Sequence, residues 1–265
     1  MSWRGYDEVA EAYERIHAPR FSVIAEELAG FADVAAGMRV LDLGTGTGVA
    51  AEVARARGAA PVVGVDLAQE MLRVAHAQRP GLLLAGAEAV DLPFRDGAFD
   101  VVLANFVLPN LKNHKTALAE VLRMLRPGGR FAMSAWADDR DDLERTWDEL
   151  AGSLIPPRML QQMRDAESPD FRNFGTRDFT EKVLGRAGFK QVRTDKRTYR
   201  FRYGLDEYLE GREVFKSGRF VRDMLGESGW ESFRQRTRAV FAERFADPLQ
   251  DTVAVVLTTA AKPEA

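Results

Sequence analysis

Cysteine is absent from all 265 residues, and histidine occurs only three times. The first absence excludes disulfides, thiolate metal sites and cysteine nucleophiles together, and it fits a reducing compartment. Long apolar runs are missing too: none approaches the ~20 residues that a bilayer span requires. The N-terminal stretch MSWRGYDEVAEAYERIH is charged from Arg4 onward and has no apolar core of the kind that leads a secreted chain. A cytoplasmic protein without a membrane span is expected. Strong charge of one sign is also lacking, with a net of −3 and a pI near 5.8. Residues 186–245 carry 15 basic side chains against 9 acidic, and residues 1–185 carry 21 against 28. A nucleic-acid-binding domain usually has a pI above about 9, so no nucleic-acid partner is expected. The basic segment reads either as a solvated mixed-charge helical face or as a surface that attracts an anionic substrate.

What is present is an ordinary globular balance, 46% hydrophobic and 29% charged, in a length that suits one core plus a cap. Helix comes first. Val9, Tyr13, Ile16, Phe21, Ile24 and Leu28 recur at helical spacing, and Pro19 is expected to separate two helices. The period then changes. Short apolar runs at Arg39–Leu43, Pro61–Val65, Gly81–Leu84, Phe99–Ala104 and Arg130–Trp136 alternate with helical stretches. Strands apolar on both faces and joined by helices imply a parallel sheet covered on both sides, because each crossover lays a helix on a face. Beyond Trp136, helices are expected at 141–152, 157–165, 178–187 and 205–246, with strands at 189–202 and from Thr252 to Thr258 pairing antiparallel at the sheet edge. The predicted fold is α/β and doubly wound: a mostly parallel seven-stranded sheet with an antiparallel edge strand and a helical cap.

Two features carry chemistry. Val40-Leu41-Asp42-Leu43-Gly44-Thr45-Gly46-Thr47-Gly48 leads from a strand into a helix. Glycines there let the backbone turn tightly and let a ligand approach where a Cβ would collide, and the helix start supplies free N–H groups. The spacing is G-x-G-x-G, whereas the dinucleotide fingerprint requires G-x-G-x-x-G, so an NAD-dependent oxidoreductase fits worse. The second feature is Asp66, at the tip of the next strand and 18 residues past Gly48. A carboxylate there can accept both hydroxyls of a ribose, or it can cap the following helix. His and carboxylate spacings that hold zinc or magnesium do not occur outside charge runs such as Asp138–Asp142, and no metal is expected.

With Leu92-Pro93-Phe94, Phe99-Asp100-Val101-Val102 and Leu125-Arg126-Pro127-Gly128-Gly129 following in order, the chain resembles the class I S-adenosylmethionine-dependent methyltransferases. Within them it is similar to the quinone-biosynthesis-like, small-molecule branch, and the resemblance spans about residues 6–136. It implies a Rossmann-like core, S-adenosyl-L-methionine as cofactor and S-adenosyl-L-homocysteine as product. By the same resemblance Gly44, Thr45 and Gly46 wrap the methionine end, with Asp42 in the same run. Asp66 holds the ribose, Leu67 and Met71 flank the adenine, and Asn105 sits near the methionine portion. Glu88 stands where relatives commonly carry Asp toward the adenine amino group, with the Ala89 N–H beside it. Tyr13, with Tyr6, matches aromatics that close over the cofactor carboxylate, and core packing of an amphipathic helix explains both equally.

Relatives often carry a His pair after the fourth strand, where this chain has Asn105-Phe106-Val107-Leu108-Pro109-Asn110. No catalytic residue is therefore assigned. His76 is expected at the surface, and His17 and His114 near helix ends. The implied organisation places a helical segment (1–37) over the cofactor site of a core (38–138). A substrate cap is expected at 139–188 and 203–247, and the final strands at 189–202 and 252–260. The expected acceptor is a small molecule, anionic or aromatic, met by Phe106 and Trp136 at the strand ends. Methyl transfer to it would rest on proximity. A protein of this fold that binds the cofactor without methyl transfer, a cyclase or a sensor, is the alternative.

Overall fold

The computed structural model describes residues 4–156, 158–159 and 170–264. The helix expected at 157–165 lies largely outside the described residues. Helices α1 (Arg4–Asp7) and α2 (Ala10–Phe31) precede β1 (Val40–Leu43), α3 (Val49–Ala56), β2 (Val62–Asp66), α4 (Gln69–Gln78), β3 (Leu83–Gly86) and β4 (Phe99–Asn105). Then come α5 (His114–Met124), β5 (Leu125–Trp136), α6 (Asp142–Gly152), α7 (Arg177–Ala187), β6 (Lys190–Tyr203), α8 (Leu205–Val214), α9 (Lys216–Arg244) and β7 (Leu249–Ala261).

The seven strands form one sheet in the order β3-β2-β1-β4-β5-β7-β6. Pairs β1–β2, β1–β4, β2–β3 and β4–β5 are parallel, and β5–β7 is antiparallel. This is the doubly wound α/β sheet expected from the alternating pattern. All four residues of β1 are buried, which explains why it reads as an unbroken apolar run: helices cover both faces of a parallel strand. The order reverses between β1 and β4, and that switch point puts a crevice at the carboxyl ends of the strands. β3 starts two residues later than its apolar run, because Gly81 takes a left-handed turn (φ +92°) and Val63 pairs with Leu83.

Pro19 does not split the N-terminal helix. It sits exposed inside α2 while Ile16, His17, Ala18, Phe21, Ile24, Ala25, Leu28 and Ala29 are buried on both sides of it. A proline inside a helix costs about 3 kcal/mol, less than a continuous stripe of buried aliphatic and aromatic side chains contributes. His17 consequently lies mid-helix rather than at an end.

Two compact units result: residues 1–138, 168–197 and 255–265, and residues 139–167 with 198–254. The stretch expected as one cap at 139–188 therefore divides. Phe174, Leu184 and Phe189 join Leu41, Val102, Leu118 and Phe131 in the core of the first unit, so α7 packs there. In the second unit Trp147, Tyr208, Trp230, Phe233 and Phe241 build a core of their own.

Candidate active site

The corner after β1 is built from left-handed glycines, with φ +64° at Gly44, +55° at Gly46 and +93° at Gly48. Gly44 must lack a side chain, since a Cβ there would lie 2.6 Å from Val107 Cγ2. Around Gly46 the same construction meets nothing within 4 Å, so its backbone faces open space. Thr45 points the other way. Its N–H donates to Val65 O at 2.8 Å, and its hydroxyl donates to Asp42 Oδ2 at 2.6 Å. Gly64 in β2 leaves room for it, because a Cβ there would lie 2.7 Å from Thr45 Oγ1.

Asp42 is 1% exposed. Its Oδ2 also accepts the Ala51 N–H at 2.8 Å, which gives the first turn of α3 the cap that Gly48 cannot supply. Burial raises its pKa to about 7, against the downward pull of these two hydrogen bonds. The carboxyl lies beneath the loop and fixes its shape.

Asp66 ends β2 and meets the loop. Its Oδ2 accepts the Gly46 N–H at 2.7 Å, and its Oδ1 accepts the Ala68 N–H at 2.9 Å. Burial raises its pKa, and the backbone donors of Ala68, Gly46 and Leu67 partly offset the rise. Asp66 is not the helix cap: α4 begins at Gln69 with Ala68 as its N-cap. Asp7 takes part of that role by accepting the Glu70 N–H at 2.9 Å. Leu67 is half-buried. Met71 is 2% exposed and packs with Ala10, Tyr6 and Tyr13, so it lies under the N-terminal helices instead of facing outward. Past β3, Glu88 is exposed and paired in a one-residue bridge with Asp91, and Ala89 is half-buried against the main core.

The opposite wall comes from the ends of β4 and β5. Asn105 and Ser134 are register partners, and the Ser134 hydroxyl donates to Asn105 Oδ1 at 2.7 Å. The Phe106 N–H donates to Ser134 Oγ at 2.9 Å, and Asn110 Nδ2 donates to Phe106 O at 2.9 Å. Phe106 is held left-handed (φ +60°), a conformation costing about 1–3 kcal/mol for a bulky residue and concentrated at functional sites. Its ring stacks on Trp136, with centroids 4.1 Å apart. From α2, Phe21 reaches Phe106 (5.2 Å) and Trp136 (6.0 Å), and the Arg20 guanidinium lies 5.5 Å over the Trp136 ring. Tyr13 stacks on Phe21 at 5.6 Å, and the His17 ring lies beside both. Burial, then the nearby Tyr6 phenol, push the Tyr13 phenol well above its ordinary value. Arg79 braces this helix to the corner: Nη1 donates to Thr47 O at 2.7 Å, and Nη2 lies 2.9 Å from Glu14 Oε1.

Ser134, Asn110, Phe21, Arg20 and Arg79 escaped the sequence reading. Nothing local marks them, except that Ser134 stands two residues before Trp136 and so shares its sheet face. His114 is buried with its ring edge-on to Phe174 and 3.8 Å from Asp170, and His76 is exposed. Among the described residues no group of three or more His, Cys, Asp or Glu could hold a metal.

Comparison with known proteins decides the family. The profile of the methyltransferase domain matches residues 41–133. A demethylmenaquinone methyltransferase from Streptomyces avermitilis is 31% identical over 201 residues, covering 71% of this chain and 85% of that one. The chain belongs to the class I S-adenosylmethionine-dependent methyltransferases. It falls in their quinone-biosynthesis branch and is an enzyme that methylates a small-molecule acceptor with S-adenosyl-L-methionine, leaving S-adenosyl-L-homocysteine. Among solved structures, phosphoethanolamine N-methyltransferase 2 from Haemonchus contortus, bound to S-adenosylhomocysteine, is similar with a TM-score of 0.60 at 17% identity, covering 100% of this chain and 61% of that one. The [4+2]-cyclase SpnF is similar in fold with a TM-score of 0.57 at 21% identity, covering 92% of this chain and 82% of that one. The fold thus also carries chemistry other than methyl transfer, and it is the sequence relatives that identify this methyltransferase as a transferase. No helix among its described residues is long and apolar enough to cross a membrane.

The residues of the corner fit the cofactor. The open side of Gly46 is a cradle that a Cβ would fill. Asp66 supplies carboxylate lone pairs beyond those that its backbone bonds use.

Proposed function

We propose that this methyltransferase holds S-adenosyl-L-methionine on Gly44, Thr45 and Gly46 at the methionine end, Asp66 at the ribose, Leu67 at one adenine face, Glu88 and Ala89 at the adenine edge, and Asn105 beside the amino-acid group. Asp42 and Met71 act from beneath, the first by shaping the corner and the second by seating the N-terminal helices, and Tyr13 closes the methionine end. Residues 1–37 cover the cofactor, 38–138 bind it, and 189–202 and 252–260 complete the sheet. The observation that carries this reading is the 2.7 Å bond joining the Gly46 N–H to Asp66 Oδ2, which places the glycine corner and the acidic strand tip side by side.

The acceptor is a small molecule with an aromatic or anionic part, not a nucleic acid, and the reaction takes place in the cytoplasm. Phe106 and Trp136 are half-exposed at strand ends, and the Arg20 cation over Trp136 supplies charge complementary to an anion. The cofactor supplies an electrophilic methyl group on a sulfonium. This chain's part is to hold the nucleophile in line with it and to exclude water with the Phe21, Phe106 and Trp136 rings, an entropic gain of several kcal/mol in favourable cases, at most about 7–11. Tyr13 keeps its proton at neutral pH, so it orients ligands through hydrogen bonds and does not act as a base.

Replacing Asp66 by Ala removes charge-assisted hydrogen bonds worth roughly 1.5–3 kcal/mol. Calorimetric titration with S-adenosylhomocysteine is expected to show affinity at least about tenfold weaker; unchanged affinity would remove Asp66 from the site. Turnover is checked by following methyl-labelled cofactor into a panel of aromatic and anionic acceptors.

A further inference from the structure

Ser134 is fully buried on β5 and its hydroxyl serves two neighbours at the cofactor end of the sheet. The Phe106 N–H can only donate, so Ser134 Oγ accepts there at 2.9 Å. The hydroxyl proton then needs an acceptor, and Asn105 Oδ1 lies 2.7 Å away. This pairing settles which way round the Asn105 amide stands: its oxygen is turned toward Ser134 and its Nδ2 away from it. Asn105 is half-exposed, and its Nδ2 has no hydrogen-bond partner among the described residues. The same hydroxyl and the Asn110 amide grip the two ends of the left-handed Phe106 residue, whose ring then lies on Trp136.

We propose that Ser134 is a positioning residue for the methyl-transfer site: it locks Asn105 with its oxygen toward Ser134, so that the amide presents its Nδ2 donors to the ligand, and these meet the carboxylate of the cofactor's amino-acid end rather than its ammonium. The inference rests on the cofactor placement proposed above and adds the polarity of one contact to it. A carboxylate oxygen accepts hydrogen bonds and an ammonium cannot, so an amide that turns its Nδ2 and not its oxygen to the ligand matches the first. Had Asn105 been free to turn, either end of the amino acid would have suited it.

The test uses two probes on the full chain, S-adenosylhomocysteine and 5′-methylthioadenosine, which keeps the adenosyl group and lacks the amino-acid end. For Ser134→Ala and for Asn105→Asp, calorimetry is expected to show S-adenosylhomocysteine binding weakened about tenfold or more, and 5′-methylthioadenosine binding within about twofold of wild type. Ser134→Thr, which restores the hydroxyl, returns S-adenosylhomocysteine binding to within about threefold. Should Ser134→Ala fail to fold, the half-exposed Asn105→Asp decides alone through the carboxylate it sets against the ligand's own. The inference is overturned if Ser134→Ala binds S-adenosylhomocysteine like wild type, if it loses both probes in equal proportion, or if Asn105→Asp tightens S-adenosylhomocysteine. A wild-type protein that binds neither probe overturns the cofactor placement as well, whereas normal wild-type binding with unaffected variants removes this inference alone.

Discussion

The Asp42 carboxyl is 1% exposed, and burial lifts its pKa to about 7. In the unfolded chain the same group ionises near about pH 4. Between these values the folded protein binds a proton that the unfolded chain has released, so stability from this residue is full below about pH 4 and is lost as pH rises through about 7. A single oxygen, Oδ2, accepts from both Thr45 and Ala51, and an amide oxygen can do the same. Asp42→Asn is therefore expected to keep the loop while removing the titration. Wild type should lose more of its urea midpoint than the variant between pH 5 and pH 8, a difference of a few kcal/mol at most. Parallel midpoints across that range would show that Asp42 does not titrate with folding. At this scale the sequence was legible where residue type and function coincide. Gly44, Gly46 and Asp66 were named from the need for left-handed backbone and a carboxylate at a strand tip, and all three stand at one corner. The left-handed turn at Phe106 was not legible, because its causes, Ser134 and Asn110, reach it through side-chain hydrogen bonds.

Several of the ordered motifs that mark the family prove to be framework when seen as elements. Asp100 at the start of β4 accepts from the Arg39 backbone and side chain and from Arg126, so its carboxyl is held well below the usual range, chiefly by the Arg39 hydrogen bonds. Leu92 and Phe94 are tied through their carbonyls to Arg123 of α5. These contacts set the base of the sheet and the strap after β3, and they position the site without forming it. α2 is coupled to the site more directly. Arg79 joins Glu14 of that helix to the Thr47 carbonyl in the glycine corner, with only 15% and 18% of the two side chains exposed. Arg79→Met keeps an apolar stem against Gly48 and removes both polar contacts. Hydrogen exchange of the α2 amides, read by mass spectrometry, is expected to quicken by about tenfold, in line with the roughly 1–3 kcal/mol that such a partly buried contact contributes. Unchanged exchange would mean that apolar packing alone seats the helix.

For the whole molecule, a ligand that binds only the folded state stabilises it by mass action, about 2.7 kcal/mol at a concentration one hundred times its dissociation constant. In a protein of this size that corresponds to a rise of roughly 5–10 °C in the unfolding midpoint. S-adenosylhomocysteine is expected to produce such a rise in differential scanning fluorimetry, and NADH at the same concentration none. A rise with NADH would revive the dinucleotide reading that the G-x-G-x-G spacing counted against. The second unit has a core of its own around Trp147, Phe233 and Phe241. Its aromatic side chains are largely spent on that core.

The sequence by itself determined the layered α/β sheet, the strand that feeds the glycine corner and the acidic tip beside it, because strand periodicity, glycine φ and carboxylate chemistry act within a few residues. Only the tertiary structure decided that α2 runs unbroken through Pro19, that α7 packs with the sheet unit, and that Ser134 faces Asn105 across 29 positions. The physical reason is one of range. Burial energy summed along a helix outweighs a local proline penalty, and a hydrogen bond between neighbouring strands depends on a register that neither strand encodes alone.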